Sequence, residues 1–173
     1  MYKGKNRSTG ESCAIKCVPR NALEPWDEVD ILNEVIIMSK LSNPNIVQLK
    51  DVFTQPDCYL IVMEFCEGGD LFDRIGRRVD SIEEGNGTAT ANKRGYNERD
   101  ARDLCAVLIE VVRYCHEDMR IAHCDLKPGN LLLQVSGGLF AYLSQWTALF
   151  IKQTHCDFDF IYQRIQKIIH LLS

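Results

Sequence analysis

Residues 12–19 alternate between two sets of side chains, which is the period of a β-strand. One predicted face carries Ala14, Lys16 and Val18, so Lys16 shares that face with small apolar residues. A lysine placed in this way either extends its charged head to solvent at the edge of the sheet or meets a group of opposite charge.

A helix is predicted over residues 26–41, where apolar side chains recur at helical spacing. Its apolar face is formed by Ile31, Val35 and Met38. Glu34 lies on that same face, and a buried carboxylate is costly unless it meets a cation. We therefore expect Glu34 to pair with Lys16. In the alternative interpretation, Glu34 lies at the margin of the stripe and is solvated.

Two further strands are predicted, over residues 46–53 and 58–64, joined by a turn at Gln55-Pro56-Asp57. The second strand is continuously apolar in its middle, which predicts a central and buried position. Gly68 and Gly69 follow it and supply backbone freedom before a helix that begins at Leu71. This break predicts a hinge between two lobes.

The strongest helical pattern covers residues 98–117. Its apolar stripe is formed by Ala101, Leu104, Cys105, Leu108, Val111, Val112 and Cys115. Residues 76–95 before it are polar and without periodicity, which predicts a surface insert. Residues 158–172 at the end of the chain again show near-helical spacing of isoleucine and leucine. We expect this last helix to cover part of the stripe.

Composition and charge reduce the number of function classes that the sequence favours. The chain has 173 residues, is 46% hydrophobic and carries a formal net charge of −4, which does not favour a nucleic-acid or membrane-surface partner. Its eight cysteines are scattered without any C-x-x-C pair, so we expect reduced thiols in a cytoplasmic protein rather than a zinc site. The first ten residues do not have the pattern of a secretory signal, and no apolar stretch is long enough to span a membrane.

The candidate chemistry lies in His123-Cys124-Asp125-Leu126-Lys127-Pro128-Gly129-Asn130, followed by three leucines. The segment places a carboxylate, a cation and an amide close together on a tight loop before a short strand. Phosphoryl transfer uses these groups to orient the attacking hydroxyl, to stabilise the moving phosphate and to hold magnesium. Asp, Pro, Gly and Asn are also common turn residues, so a plain surface turn is the alternative.

Four segments in this order and spacing resemble a eukaryotic protein kinase catalytic domain. They are the strand Cys13-Ala14-Ile15-Lys16, the helix around Glu34, the segment Met63-Glu64-Phe65-Cys66 and the loop at residues 123–130. Asn43-Pro44-Asn45-Ile46-Val47, Gly68-Gly69-Asp70-Leu71-Phe72 and Tyr96-Asn97-Glu98 are most similar to the calcium/calmodulin-dependent serine/threonine kinase group. The resemblance implies an α+β, two-lobe kinase fold. It implies ATP and Mg2+ as cofactors and protein serine or threonine hydroxyls as acceptors. Calmodulin-like regulation would belong to a longer parent and is not visible in this chain.

The resemblance also implies roles for individual residues. Asp125 would orient the substrate hydroxyl, Lys127 would stabilise the transferred phosphoryl group, and Asn130 would bind magnesium. Lys16, held by Glu34, would contact the nucleotide phosphates. The rest of the implied ATP site consists of Ala14 and Leu132 around the adenine, Met63 as gatekeeper, the backbone of Glu64 and Cys66, and Asp70 at the ribose.

The sequence also departs from the family pattern. The chain starts after the position of the glycine-rich loop, and no Asp-Phe-Gly follows Asn130 at the family's spacing, because that neighbourhood reads Leu143-Ser144-Gln145-Trp146. We therefore expect an incomplete fold, cut at both ends. Residues 1–66 would form a partial small lobe and hinge, residues 67–135 the start of the large lobe, and residues 136–173 a divergent tail. Phosphoryl transfer would be weak or absent; a pseudokinase-like binding module and a truncated splice product are the alternatives.

Overall fold

The computed structural model describes residues 1–76, 98–123, 126–134, 141–143, 148–149 and 158–172. A four-stranded antiparallel sheet with the order β1-β2-β4-β3 forms the amino-terminal part. Its strands are β1 (Tyr2–Lys5), β2 (Ser12–Pro19), β3 (Leu49–Thr54) and β4 (Cys58–Glu64). The strand predicted over residues 12–19 is confirmed, and β4 is central, as its apolar sequence predicted.

The register of β2 and β4 defines the face of the sheet that bears Lys16. Lys16 lies opposite Ile61, Ala14 opposite Met63, and Val18 opposite Tyr59. Directly opposite residues point to the same side of an antiparallel pair. Because Tyr59, Ile61 and Met63 are the buried residues of β4, this face packs inward.

The strand predicted over residues 46–53 was wrong at its beginning, since β3 starts only at Leu49. Ile46 and Val47 are both buried, which an alternating strand with one solvated face does not allow. A turn immediately precedes them, closed by the Ile46 N–H, which donates to the Asn43 carbonyl at 3.1 Å. The Gln48 amide also donates to the Asn43 and Ile46 carbonyls, at 3.2 and 2.8 Å, and so occupies the Ile46 carbonyl, which the predicted ladder would use.

Helix α1 (Pro25–Lys40) packs on this sheet and lies within one residue of its predicted bounds. Pro25 occupies its first turn, where no intrahelical N–H partner is required. The N–H of Glu24 donates to Asp27 Oδ2 at 2.9 Å, which ties the entering chain to the first turn. Ile37 and Met38 are buried and join the main hydrophobic cluster.

The second part of the chain contains helices and short two-stranded ladders. Its elements are α2 (residues 71–76), α3 (Glu98–Arg113), a π-helical turn (Tyr114–Asp118), β5 (Ala122–His123), a 3₁₀ turn (Pro128–Asn130), β6 (Leu131–Leu133), β7 (Ala141–Leu143), β8 (Ala148–Leu149) and α4 (Phe158–Leu172). Strand β6 pairs with β7 and β5 with β8, both antiparallel. The helix predicted over residues 98–117 is confirmed, with its last turn in π geometry. Most of the predicted surface insert lies outside the described residues, as does Asn97.

The apolar stripe of α3 lies in the main hydrophobic cluster, together with α4. Leu104, Leu108 and Val111 are almost fully buried, and Ile168 of α4 is only 1% exposed in the same cluster. Ile165 packs against this cluster and is partly buried. The expectation that the last helix covers part of the stripe is therefore confirmed. Strands β7 and β8, which follow residue 135, pair with strands that precede it; the domain boundaries stay predictions.

Within the described residues, none of the helices combines the length and the apolar character that a membrane span needs.

The packing of α4 can be tested on two neighbouring isoleucines. Ile168→Ala should lower the free energy of unfolding by about 2–5 kcal/mol, because it leaves a cavity in the core. Ile169→Ala is the matched control; this side chain is 38% exposed, so its loss should cost much less. Urea unfolding of both variants measures the difference. Equal losses in the two variants would contradict the docking of α4 on α3.

Candidate active site

Lys16 and Glu34 form the ion pair that the sequence predicted. Lys16 Nζ lies 3.0 Å from both carboxylate oxygens of Glu34, across the space between β2 and α1. Glu34 is 8% exposed, and the ammonium group of Lys16 neutralises the charge of its carboxylate. The alternative of a solvated Glu34 is therefore wrong. The role of the pair in nucleotide binding stays a prediction.

A second polar contact holds the amino-terminal half of α1, and sequence reasoning missed it. Glu28 accepts hydrogen bonds from Arg20 Nη2 at 2.8 Å and from the hydroxyl of Tyr59 on β4. The Arg20 guanidinium also lies over the Tyr59 ring, 5.1 Å from its centroid. The Tyr59 hydroxyl and Arg20 together lower the pKa of Glu28, although partial burial opposes the shift. The sequence did contain a signal for this contact, because a tyrosine on a buried strand face needs a hydrogen-bond partner for its hydroxyl.

Residues 63–66 run from the end of the central strand β4 into the hinge. Met63 is buried at the end of β4, opposite Ala14. The N–H of Glu64 donates to the Gln48 carbonyl at 2.9 Å, so this backbone donor is already engaged. Burial, with the nearby charge of Glu64, raises the pKa of the Cys66 thiol to about 12. Cys66 is therefore a neutral, packed thiol.

The two hinge positions, Gly68 and Gly69, require glycine for different structural reasons. Gly69 has a φ of 71°, in the region that glycine adopts without strain, as the predicted backbone freedom requires. Gly68 has no positive φ; it is needed because its backbone touches β6. A Cβ at this position would lie 2.4 Å from the Leu133 carbonyl oxygen. The Gly68 N–H donates to that oxygen at 2.8 Å, and the Leu133 N–H donates to the Gly69 carbonyl at 2.8 Å.

This contact brings Asp70 and Leu132 together in an antiparallel bridge. Leu132 is half-buried between two buried leucines. Asp70 Oδ1 accepts a hydrogen bond from the Asp73 N–H at 2.8 Å and so caps the first turn of α2. Its predicted contact with a ribose is not tested by this geometry.

The predicted catalytic loop is described only in part, because Cys124 and Asp125 lie outside the described residues. Lys127 is exposed and precedes the 3₁₀ turn, and its carbonyl accepts the Asn130 N–H at 2.9 Å. Asn130 is 2% exposed, next to the buried Leu131. The turn therefore fixes an amide side chain at the start of β6.

Asn130 is the residue that the sequence analysis expects to bind magnesium. Asn130 offers one amide oxygen, a ligand type that Mg2+ accepts. Among the described residues there is no cluster of three histidine, cysteine or acidic side chains suited to a metal ion. The magnesium-binding role of Asn130 stays a prediction.

The family follows from comparison with known proteins. A family model for the protein kinase domain matches residues 1–158. The chain therefore belongs to the protein kinase family. Myosin light chain kinase A of Dictyostelium discoideum is 37% identical over 134 residues, covering 78% of this chain and 40% of that protein.

Two vertebrate relatives agree with the predicted calcium/calmodulin-dependent group. Calcium/calmodulin-dependent protein kinase type IV of Mus musculus is 36% identical over 132 residues, covering 76% of this chain and 24% of that protein. The type 1B enzyme of Rattus norvegicus is 37% identical over 128 residues, covering 74% and 32%. The chain thus spans less than half the length of these relatives.

The fold agrees with a solved kinase structure. The crystal structure of Rad53 in complex with AMP-PNP superposes with a TM-score of 0.76, covering 98% of this chain and 42% of that one at 22% identity. At this identity the likeness shows the fold alone, which is the α+β kinase fold predicted from the sequence.

The contact between Tyr59 and Glu28 predicts a pH-dependent effect. Tyr59→Phe removes a donor from Glu28 and should lower the melting temperature at neutral pH. Because the folded-state pKa of Glu28 is lowered, its stabilising contribution is present above the ordinary value of 4.5 and is lost as the pH falls through the folded value. The difference from the wild type should therefore shrink in acid. Tyr2→Phe, at an exposed tyrosine, is the control, and a difference that is constant down to acid pH would contradict the contact.

The close approach at Gly68 predicts a cost for any side chain there. Gly68→Ala forces the hinge away from β6 and should lower the free energy of unfolding by about 1–3 kcal/mol. Gly129→Ala serves as control, since a Cβ at that position meets no atom within 4 Å. Urea unfolding measures both variants. If Gly68→Ala costs no more than Gly129→Ala, the hinge does not lie against β6 as described.

Proposed function

We propose that this chain binds ATP with Mg2+ and transfers the γ-phosphoryl group slowly to serine or threonine hydroxyls of proteins. The observation that carries the proposal is the ion pair between Lys16 and Glu34, with both N–O distances at 3.0 Å. A lysine held in this way keeps its ammonium group at a fixed place beside the inward face of the sheet. A fixed cation is what binding of nucleotide phosphates requires.

The adenine would lie between the lobes, next to the hinge. Ala14 and Leu132 are both half-buried, on β2 and β6 respectively, and supply apolar surface for a flat base. Because the Glu64 N–H is engaged with Gln48, any contact from the Glu64 backbone to the adenine has to come from its carbonyl oxygen. The Cys66 N–H would be the second hinge contact, and Met63 would close the back of the pocket.

The residues of the loop would act on the hydroxyl and the phosphate. In this proposal Asp125 orients the acceptor hydroxyl, and Lys127, which is exposed, reaches the transferred group. Asn130 would hold Mg2+, which when bound supplies positive charge to the nucleotide phosphates. Lys127 and the serine/threonine kinase relatives favour serine and threonine over tyrosine as acceptors.

Slow transfer follows from a missing ligand. The segment between Asn130 and Asp157 contains neither aspartate nor glutamate, so a carboxylate for magnesium is absent where the family has one. Positioning and charge neutralisation supply most of the catalysis in phosphoryl transfer. The same observation favours the second candidate function, a pseudokinase-like module that binds nucleotide or protein without transfer.

A cytoplasmic setting is part of the proposal. Its support is that the six cysteines of the described part of the chain are all free thiols.

Nucleotide binding is expected to raise the melting temperature of the purified chain. At an ATP concentration about a hundredfold above Kd, with Mg2+, binding adds about 2.7 kcal/mol, which corresponds to several degrees. Lys16→Met should remove most of this rise. Lys50→Met is the matched control, because Lys50 is also ion-paired at 3.0 Å, to Glu11, outside the predicted ATP site. A wild-type melt that ATP does not change would contradict the proposed binding.

Phosphoryl transfer distinguishes the two candidate functions. Radiolabelled ATP should label a serine- and threonine-containing protein substrate slowly, and Asp125→Asn should abolish the labelling while leaving the ATP-dependent rise in melting temperature intact. Labelling that persists in Asp125→Asn would assign the activity to a contaminating kinase. ATP binding without any labelling by the wild type would support the non-catalytic module.

A further inference from the structure

Two cysteines lie close together on the face of the sheet that points away from Lys16. Cys17 on β2 is opposite Leu60 of β4, and Cys58 on β4 is opposite Pro19 of β2. Cys17 and Cys58 are therefore diagonal neighbours on two hydrogen-bonded strands, with both side chains on one face. Both residues are half-buried, so their sulfurs are within reach of small solutes.

The environment of Cys58 includes the Cys17 side chain. Burial, the neighbouring Cys17 thiol and the nearby Asp57 raise the pKa of Cys58. Cys58 therefore ionises less readily than an ordinary cysteine, and the sulfur that attacks the peroxide is assigned to Cys17. The remaining free cysteines of the described residues, Cys13, Cys66, Cys105 and Cys115, are buried.

We propose that Cys17 and Cys58 form an oxidisable dithiol, which a peroxide converts to an intramolecular disulfide. In the first step the Cys17 thiolate attacks one oxygen of hydrogen peroxide. The O–O bond breaks, a sulfenic acid forms on Cys17, and the released hydroxide takes a proton to become water. In the second step the Cys58 sulfur attacks the sulfenic sulfur. The S–S bond forms, the S–O bond breaks, and hydroxide leaves as water with the Cys58 proton.

The bond would join the two strands that position α1. Cys17 directly follows Lys16 on β2, and Cys58 directly precedes Tyr59 on β4. Diagonal neighbours are separated by about 7–8 Å between Cα atoms, slightly more than an unstrained disulfide spans. Closing the bond therefore requires a small backbone movement in β2 or β4, and a strained disulfide is readily reduced. The dithiol is thus suited to reversible oxidation.

Peptide mapping of the full chain tests the proposal. The purified reduced protein is treated with hydrogen peroxide, capped with iodoacetamide under denaturing conditions and digested without reductant. Trypsin cleaves after Lys16 and Arg20, and chymotrypsin after Phe53 and Tyr59, so each thiol lies in its own short peptide, separate from Cys13 and Cys66. We expect peptides 17–20 and 54–59 to be joined, with the loss of two hydrogen atoms, and to separate again after treatment with glutathione.

Variants make the result specific. Cys58→Ser should leave Cys17 as a sulfenic acid, trapped by dimedone, because the resolving thiol is gone. Cys13→Ala is the matched control, on the same strand and face, and should still form the cross-link. The proposal is overturned if the wild type shows no joined 17–20 and 54–59 peptides. It is also overturned if cross-links to the buried cysteines form as readily as this one.

Discussion

The position of α1 depends on a buried pair of opposite charges. Glu34 is 8% exposed and has both oxygens 3.0 Å from Lys16 Nζ. A carboxylate this buried is costly without a cation, so α1 can lie on the sheet only where Lys16 meets it. The same helix brings Ile37 and Met38 into the core. The same ion pair therefore fixes both the location of the predicted phosphate-binding lysine and the packing of α1 on the amino-terminal sheet.

The core continues from α1 into the second part of the chain. The loop after α1 places Leu41 in the main cluster, and the Ser42 N–H donates to the Tyr114 hydroxyl at 3.1 Å, a contact over 72 positions of sequence. Tyr114 begins the π-helical turn that follows α3, and Ile168 of α4 closes the same cluster. Interiors are close-packed, so moving α1 outward disturbs packing as far as α3. The two parts of the fold are held by shared packing as well as by the hinge.

Periodic patterns and charged residues on apolar faces could be read from the sequence. Contacts between backbone segments that are far apart in the sequence could not. The bounds of β2 and α4 followed from their periods, and the pairing of Lys16 followed from two charges on apolar faces. The true beginning of β3 was missed, because the Gln48 side chain competes with the ladder in a way that no local period shows. The close approach of Gly68 to Leu133 was missed for a similar reason, since it depends on a strand far along the chain.

A double-mutant cycle on the Lys16–Glu34 pair tests the central claim most directly. The free energy of unfolding is measured by urea denaturation for the wild type, Lys16→Met, Glu34→Gln and the double variant. If the pair holds α1 on the sheet, the two losses are not additive, and the coupling lies in the range of about 0.5–3 kcal/mol found for contacting residues. Additive losses would contradict the claim, because they would mean that α1 is held without this ion pair.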